Sequence, residues 1–332
     1  MKVLINGFGR IGRSVLRAWA LETSLWPGLD IVAINDIAPP EMCAYLFEFD
    51  SIFGPWKGRV RLDDGRLWLG DKGLGDKGIA LTQARDLSKL DLSEIDLVME
   101  CTGRADDRAV AVRGLSAGAR RVLISGPSDA ADFTVVLGAN EAGLADQAVV
   151  SNASCTTNAL APLVKLIDTQ WGVVTGSMTT VHCYTGSQPT IDAPAADFSR
   201  SRAAALSMVP TTTSAQHLLD RVLPSVAGRI MGSAVRVPVA SVSCVDLAIM
   251  TDRPASAEAA NAVFRRAGGV IGATDRALVS TDLRARSESI IMACPQTRVT
   301  SQGMLRVFGW YDNEWGFSNR MLDVARRMGS GV

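Results

Sequence analysis

The chain has six cysteines and two histidines, and among these are the side chains best suited to act as nucleophile and base near neutral pH. Cys155 stands out by its position. The segment Ser151-Asn152-Ala153-Ser154-Cys155-Thr156-Thr157-Asn158 precedes the apolar run Ala159–Ile167, and this pattern predicts a helix from about Thr156 to Thr169 with the thiol at its start. The partial positive charge at a helix N-terminus favours thiolate, the form that attacks a carbonyl, and the first-turn N–H groups can hold the oxyanion that results. Cys43, Cys101, Cys244 and Cys294 read as buried, inert thiols. None of the six, Cys183 included, has the CxxC spacing of a zinc site, so no metal is expected. His182 closes the strand-like stretch Met178–Val181 and opens a polar loop, where a general base belongs; His217 reads as a surface residue of a helix. A thiol and a base of this kind suit a covalent oxidation of an aldehyde: thiolate addition, hydride loss to a nicotinamide, then release of a thioester by phosphate or water. Thr185, Thr213 and Arg236, beside strands or loops, are candidates for holding an anionic substrate.

The hydride acceptor has its own signature. Gly7-Phe8-Gly9-Arg10-Ile11-Gly12 follows the apolar strand Val3–Asn6 and opens a helical stretch, Arg10–Leu21, while Asp36 closes the next strand. The first glycine permits the tight turn, the second admits the pyrophosphate to the backbone, and the third lets helix and strand pack closely. Asp36 would accept from the ribose hydroxyls and repel a 2′-phosphate, which favours NAD over NADP. Thr102, in Cys101-Thr102-Gly103 at another strand end, lies at the edge where ligands of such sheets gather.

Two kinds of element must position these residues. Up to about residue 150, short apolar runs (Ile31–Asn35, Ile95–Cys101, Val122–Ser125, Thr134–Leu137) alternate with helical stretches such as Arg104–Ala117, and Asp63-Asp64-Gly65-Arg66 reads as a hairpin. Beyond 151, long strand-like stretches dominate: Val173–Tyr184, Ile230–Val239, Val242–Thr251 and Met304–Trp310, with a helix near Ala255–Ala267. The expectation is an α/β nucleotide-binding (Rossmann-like) domain plus an α+β catalytic domain with a mainly antiparallel sheet. The boundaries are residues 1–151 and 152–315, with a closing helix within 316–332 that packs back on the first. A length of 332 residues with 47% hydrophobic and 20% charged side chains fits two folded cores rather than a disordered chain. Equal counts of basic and acidic residues, 34 each, leave no global field to attract nucleic acid or an anionic membrane. No signal peptide or run of about 18 apolar residues is visible, so a cytoplasmic location is expected.

Taken together, Asn6–Arg13, Ile34-Asn35-Asp36, Ser151–Asn158, Arg236-Val237-Pro238 and Trp310-Tyr311-Asp312-Asn313-Glu314-Trp315-Gly316 resemble phosphorylating glyceraldehyde-3-phosphate dehydrogenases over essentially the whole chain. The resemblance implies a homotetramer that oxidises glyceraldehyde 3-phosphate to 1,3-bisphosphoglycerate with NAD and inorganic phosphate. It also implies a long S-shaped loop, here about 184–202. It makes Cys155 the nucleophile and His182 the base, and adds Arg10, Ile11, Arg85, Ser125 and Asn313 to the cofactor residues, Asn313 holding the nicotinamide carboxamide. Thr185 and Arg236 match the site for the substrate's phosphate; Ser154, Thr156, Thr213 and Ser214 fall at that for inorganic phosphate. Ser214 and His217 stand where the family usually has glycine and lysine, and Ala159 replaces a common second cysteine. Pro295-Gln296-Thr297-Arg298-Val299 resembles the related erythrose-4-phosphate dehydrogenases, in which water opens the thioester. A nucleotide-binding regulatory module without turnover is the reading from another class, and intact Cys155 and His182 speak against it.

Overall fold

The computed structural model describes residues 1–70 and 78–329. They form two compact units: Met1–Val135, Ala142–Ala153 and the stretch from Ser318 onward make one, and Val136–Glu141 with Ser154–Phe317 make the other. The chain thus changes unit inside the cysteine motif.

In the first unit, nine strands run in the order Val60–Asp63, Arg66–Leu69, Ile79–Thr82, Asp30–Asn35, Lys2–Asn6, Leu97–Glu100, Arg121–Ile124, Val149–Ser151, Phe133–Thr134. From Ile79–Thr82 onward every pairing is parallel. The apolar character of these strands explains why: Val3, Leu4, Ile5, Leu97, Val98 and Met99 are all buried, which requires cover on both faces of the sheet. The helix Arg10–Leu21 supplies part of that cover with Val15, Leu16, Ala18 and Trp19. The hairpin turns through Asp64 and Gly65, both at positive φ, the conformation that matches the strand twist. The closing helix, Trp315–Gly329, is tied to this unit where Trp26 Nε1 donates to Asp323 (2.8 Å) and Arg121 to the Met328 carbonyl (2.8 Å).

Two expectations need correction. The helical stretch Arg104–Ala117 is two short helices, Arg108–Ala111 and Arg113–Ser116: the Asp107 side chain caps the Ala109 N–H, so the first begins late, and Val112 leaves helical geometry between them. The strand expected at Thr134–Leu137 is only Phe133–Thr134, because the chain leaves the first unit after Val135.

The second unit holds a sheet ordered Val209–Thr211, Ile230–Val237, Val173–Cys183, Ser243–Thr251, Leu305–Tyr311, Ile290–Ala293, Ile271–Thr274. It is antiparallel except for two parallel pairs, Val173–Cys183 with Ile230–Val237 and Ile271–Thr274 with Ile290–Ala293. The helix Cys155–Trp171 is buried along most of its length, from Thr156 to Val164. Among the described residues no helix is long and apolar enough to cross a membrane.

Gly12 shows how tightly the first turn is built, since a Cβ there would lie 2.2 Å from the Gly7 carbonyl oxygen. Gly12→Ala is expected to destabilise the protein by about 1–3 kcal/mol, as overpacking against rigid backbone does. Urea denaturation checks this, and a variant within about 0.5 kcal/mol of the parent would contradict it.

Candidate active site

At the carboxyl edge of the first sheet, the three central strands end in polar residues, Asn6, Asn35 and Glu100, which share one register. All three are buried. The Asn6 amide donates to Glu100 (2.5 Å), the Asn35 amide donates to Asn6 Oδ1 (2.8 Å), and the Thr102 N–H donates to Glu100 (2.9 Å). Sequence reasoning missed this network, whose signal is a polar residue closing each otherwise apolar strand.

Beside it opens a cavity of about 430 Å³ lined by Gly7, Gly9, Asp36, Arg85 and Thr102 together with Asn6, Asn35 and Arg104. Gly7 sits at φ +92° with the Cys101–Thr102 backbone where a Cβ would go, whereas a Cβ on Gly9 would meet open space. The backbone at Gly9 is therefore open to a phosphate, as a dinucleotide requires. Both oxygens of Asp36 accept backbone N–H groups, from Phe8 (2.6 Å) and Ala38 (2.8 Å), which ties the glycine turn to the end of the neighbouring strand. Each oxygen keeps a lone pair for a ribose hydroxyl. The residues present fit the adenosine end of NAD. Four of the cofactor residues expected in this unit do not line the cavity. Gly12 packs under the turn, Arg10 reaches instead to Asp50 and lies over Phe53, Ile11 is half-buried, and the Ser125 hydroxyl is engaged with Cys101.

In the second unit, Ser154 caps the long helix by accepting the Thr157 N–H (3.0 Å), which leaves Cys155 as the first helical residue. Cys155 is partly exposed, and its sulfur lies 3.6 Å from His182 Nε2. His182 Nδ1 is 2.7 Å from the Cys183 carbonyl oxygen. A carbonyl only accepts, so Nδ1 carries the proton and Nε2 turns its lone pair to the thiol. Arg236 reaches the same place because it is the register partner of His182 across the parallel strand pair. Its Nη1 lies 2.9 Å from the Cys183 oxygen, to which it donates, and 2.9 Å from Nδ1.

Electrostatics follow from this packing. Burial first, and the Arg236 charge second, lower the His182 pKa to about 4, against the Cys183 carbonyl, which raises it. Burial also raises the Cys155 pKa; Arg236, Thr156 and the helix-start N–H groups pull it down without overcoming burial. The helix-start effect read from the sequence is present but outweighed, so the resting pair is neutral thiol and neutral imidazole.

The remaining expected substrate residues are less uniform. The Thr156 hydroxyl is buried against Tyr311 (2.8 Å), beside the Cys155 sulfur, rather than open to solvent. Ser154 is occupied as a cap. Thr185 pairs with Ser187 (2.9 Å), the Thr213 hydroxyl accepts the Ala215 N–H (3.1 Å), and Ser214 is exposed. Of the anion candidates, Arg236 is the one in direct contact with the imidazole, and its charge also acts on the thiol. Asn313 belongs to this unit, where its Oδ1 lies 3.1 Å from Cys183 Sγ.

A Rossmann-like unit with an open glycine turn, joined in one chain to an α+β unit that carries a thiol and an imidazole, is the build of a nicotinamide-dependent oxidoreductase. Comparison with known proteins narrows the class. Residues 1–108 match the NAD binding domain of glyceraldehyde 3-phosphate dehydrogenase and residues 154–313 its C-terminal domain. Glyceraldehyde-3-phosphate dehydrogenase of Xanthobacter flavus is 45% identical, over 99% of this chain and 98% of its own. The enzyme of Bacillus subtilis is 40% identical over 98% and 97%. A chloroplastic form from Chlamydomonas reinhardtii is 42% identical over 98% and 88%. The chain belongs to the glyceraldehyde-3-phosphate dehydrogenase family.

Because Arg236 holds the imidazole's pKa down, Arg236→Gln should raise it above about 4 while burial keeps it below 6.5. Ring-proton NMR reads this directly, with His217 as the one other histidine; an unmoved titration would show that the guanidinium has no hold on the ring. The lowered value also sets a stability trend. The folded state binds fewer protons than the unfolded one between pH 6.5 and about 4, so the His182 contribution falls as pH drops through that window, by up to about 1.4 kcal/mol per pH unit. His182→Asn should flatten that part of the stability–pH curve.

Proposed function

We propose that the chain oxidises glyceraldehyde 3-phosphate to 1,3-bisphosphoglycerate with NAD and inorganic phosphate, through a thioester on Cys155. The observation that carries this reading is the 3.6 Å approach of Cys155 Sγ to His182 Nε2, with Nδ1–H committed to the Cys183 carbonyl. The resting pair being neutral, His182 Nε2 takes the thiol proton as sulfur bonds to the aldehyde carbon, and returns it to the former carbonyl oxygen. That oxygen, in the hemithioacetal, lies within reach of the N–H groups of Cys155 and Thr156 at the helix start, which support negative charge there. NAD, when bound, supplies the hydride acceptor. As the carbon gives up hydride, Nε2 takes the hydroxyl proton and a thioester remains. An oxygen of inorganic phosphate then adds to the acyl carbon, the C–S bond breaks, and the proton held on His182 neutralises the departing Cys155 sulfur.

Arg236 Nε and Nη2 have no protein partner among the described residues, which suits the guanidinium to a phosphate group as well as to the imidazole. Assembly as a cytoplasmic homotetramer belongs to the same reading. The segment after His182 leaves Ile191, Phe198, Leu206 and Met208 largely exposed, with Phe198 at 95%, and self-association would cover them. Hydrolytic release with erythrose 4-phosphate as substrate is the competing reading. The observation in its favour is the exposed Ser214 beside a Thr213 hydroxyl already engaged by backbone.

Turnover of glyceraldehyde 3-phosphate should depend on inorganic phosphate and yield an acyl phosphate; an NADH-formation rate unaffected by removing phosphate would sink the phosphorylating assignment. Cys155→Ser should abolish turnover. His182→Asn should lower kcat by about 10²–10⁴, the usual span for a general acid-base group, and a near-normal rate would remove His182 from the mechanism.

A further inference from the structure

We infer that Cys183 is a positioning residue for the cofactor's nicotinamide, acting through the side-chain amide of Asn313. The inference rests on the reading of Asn313 as the ligand of the cofactor's carboxamide. Cys183 ends the strand that carries His182 and is fully buried. Its backbone is already employed: the N–H donates to Ser243 Oγ (3.1 Å) and the carbonyl receives His182 Nδ1–H. Its Sγ lies 3.1 Å from Asn313 Oδ1.

Asn313 is itself only 7% exposed, and its backbone is held by its neighbour. The Asp312 carboxylate accepts the N–H groups of Ala285 (2.8 Å), Glu314 (3.0 Å) and Trp315 (2.8 Å), which fixes the start of the closing helix. What remains undecided by the backbone is which end of the Asn313 amide faces inward. The two orientations are nearly equal in shape, so a modest interaction is enough to select one. A buried thiol keeps its proton, and burial raises the Cys183 pKa to about 12. The S–H is therefore a donor, the amide oxygen turns to it, and the NH₂ group turns away. Among the described residues Nδ2 has no protein partner. Cys183 thus presents Asn313 as a hydrogen-bond donor, which a carboxamide answers with its carbonyl oxygen. One residue serves both halves of the chemistry, its carbonyl fixing the tautomer of His182 and its thiol the orientation of Asn313.

The test separates the side chain from the backbone. Cys183→Ser retains a donor, whereas Cys183→Ala and the closer-sized Cys183→Val do not. NAD affinity measured on the full-length enzyme by isothermal titration calorimetry should fall roughly three- to tenfold in Ala and Val, the span expected for one neutral hydrogen bond, and stay within about twofold in Ser. KM for NAD should move more than kcat, and the His182 titration should not move. In an Asn313→Ala background the Cys183 substitutions should have no further effect on NAD affinity. Unchanged NAD affinity in both the Ala and Val proteins, with Asn313→Ala weakened, would overturn the role of Cys183 while leaving Asn313 in place. Unchanged affinity in Asn313→Ala would overturn the reading of Asn313, and the inference with it.

Discussion

An imidazole of lowered basicity beside an arginine sets the terms for the second unit. His182 and Arg236 are register partners on parallel strands, so their side chains emerge next to one another. Left alone, a guanidinium and an imidazole would compete for the same acceptor. The Cys183 carbonyl resolves this by accepting from both, which fixes the proton on Nδ1 and leaves Nε2 facing the thiol. The tautomer and the direction in which Nε2 points are consequences of that one crowded acceptor, whereas burial and the Arg236 charge depress the basicity of the ring against it.

The thiol is managed differently. Its helix start offers N–H groups and its neighbourhood offers a positive charge, yet burial dominates and the proton stays on sulfur. A neutral pair of this kind has no charge separation to desolvate at rest. Tyr311 underpins the arrangement: its buried hydroxyl bridges Thr156 and Thr180, both at 2.8 Å, joining the start of the Cys155 helix to the strand that carries His182.

The first unit solves a different problem with similar means. Its parallel strands are apolar until their last residue, where Asn6, Asn35 and Glu100 form a buried polar network under the glycine turn. Such a network is stabilising only when its members are satisfied, and here the Glu100 carboxylate draws donors from Asn6 and Thr102. The rigid floor this makes is what allows Gly9 to offer bare backbone and Asp36 to stand at the cavity wall.

By itself the sequence determined what depends on local pattern. The glycine spacing, the strand ends, the hairpin through Asp64-Gly65, the start of the Cys155 helix and the strand leading to His182 are all properties of short segments, and periodicity and turn chemistry reveal them. Resemblance added residues such as Asn313 that no local pattern marks. Only the tertiary structure decided which of these meet. The pairing of His182 with Arg236 depends on strand register, and the turning of the Thr156 hydroxyl to Tyr311 on contacts between residues distant in the chain. The protonation of Cys155 depends on burial, which outweighs the helix-start effect that the sequence displays. The short Asn6–Glu100 network and the role of Cys183 stayed hidden for the same reason: a hydrogen bond across strands leaves no periodic trace in the order of residues.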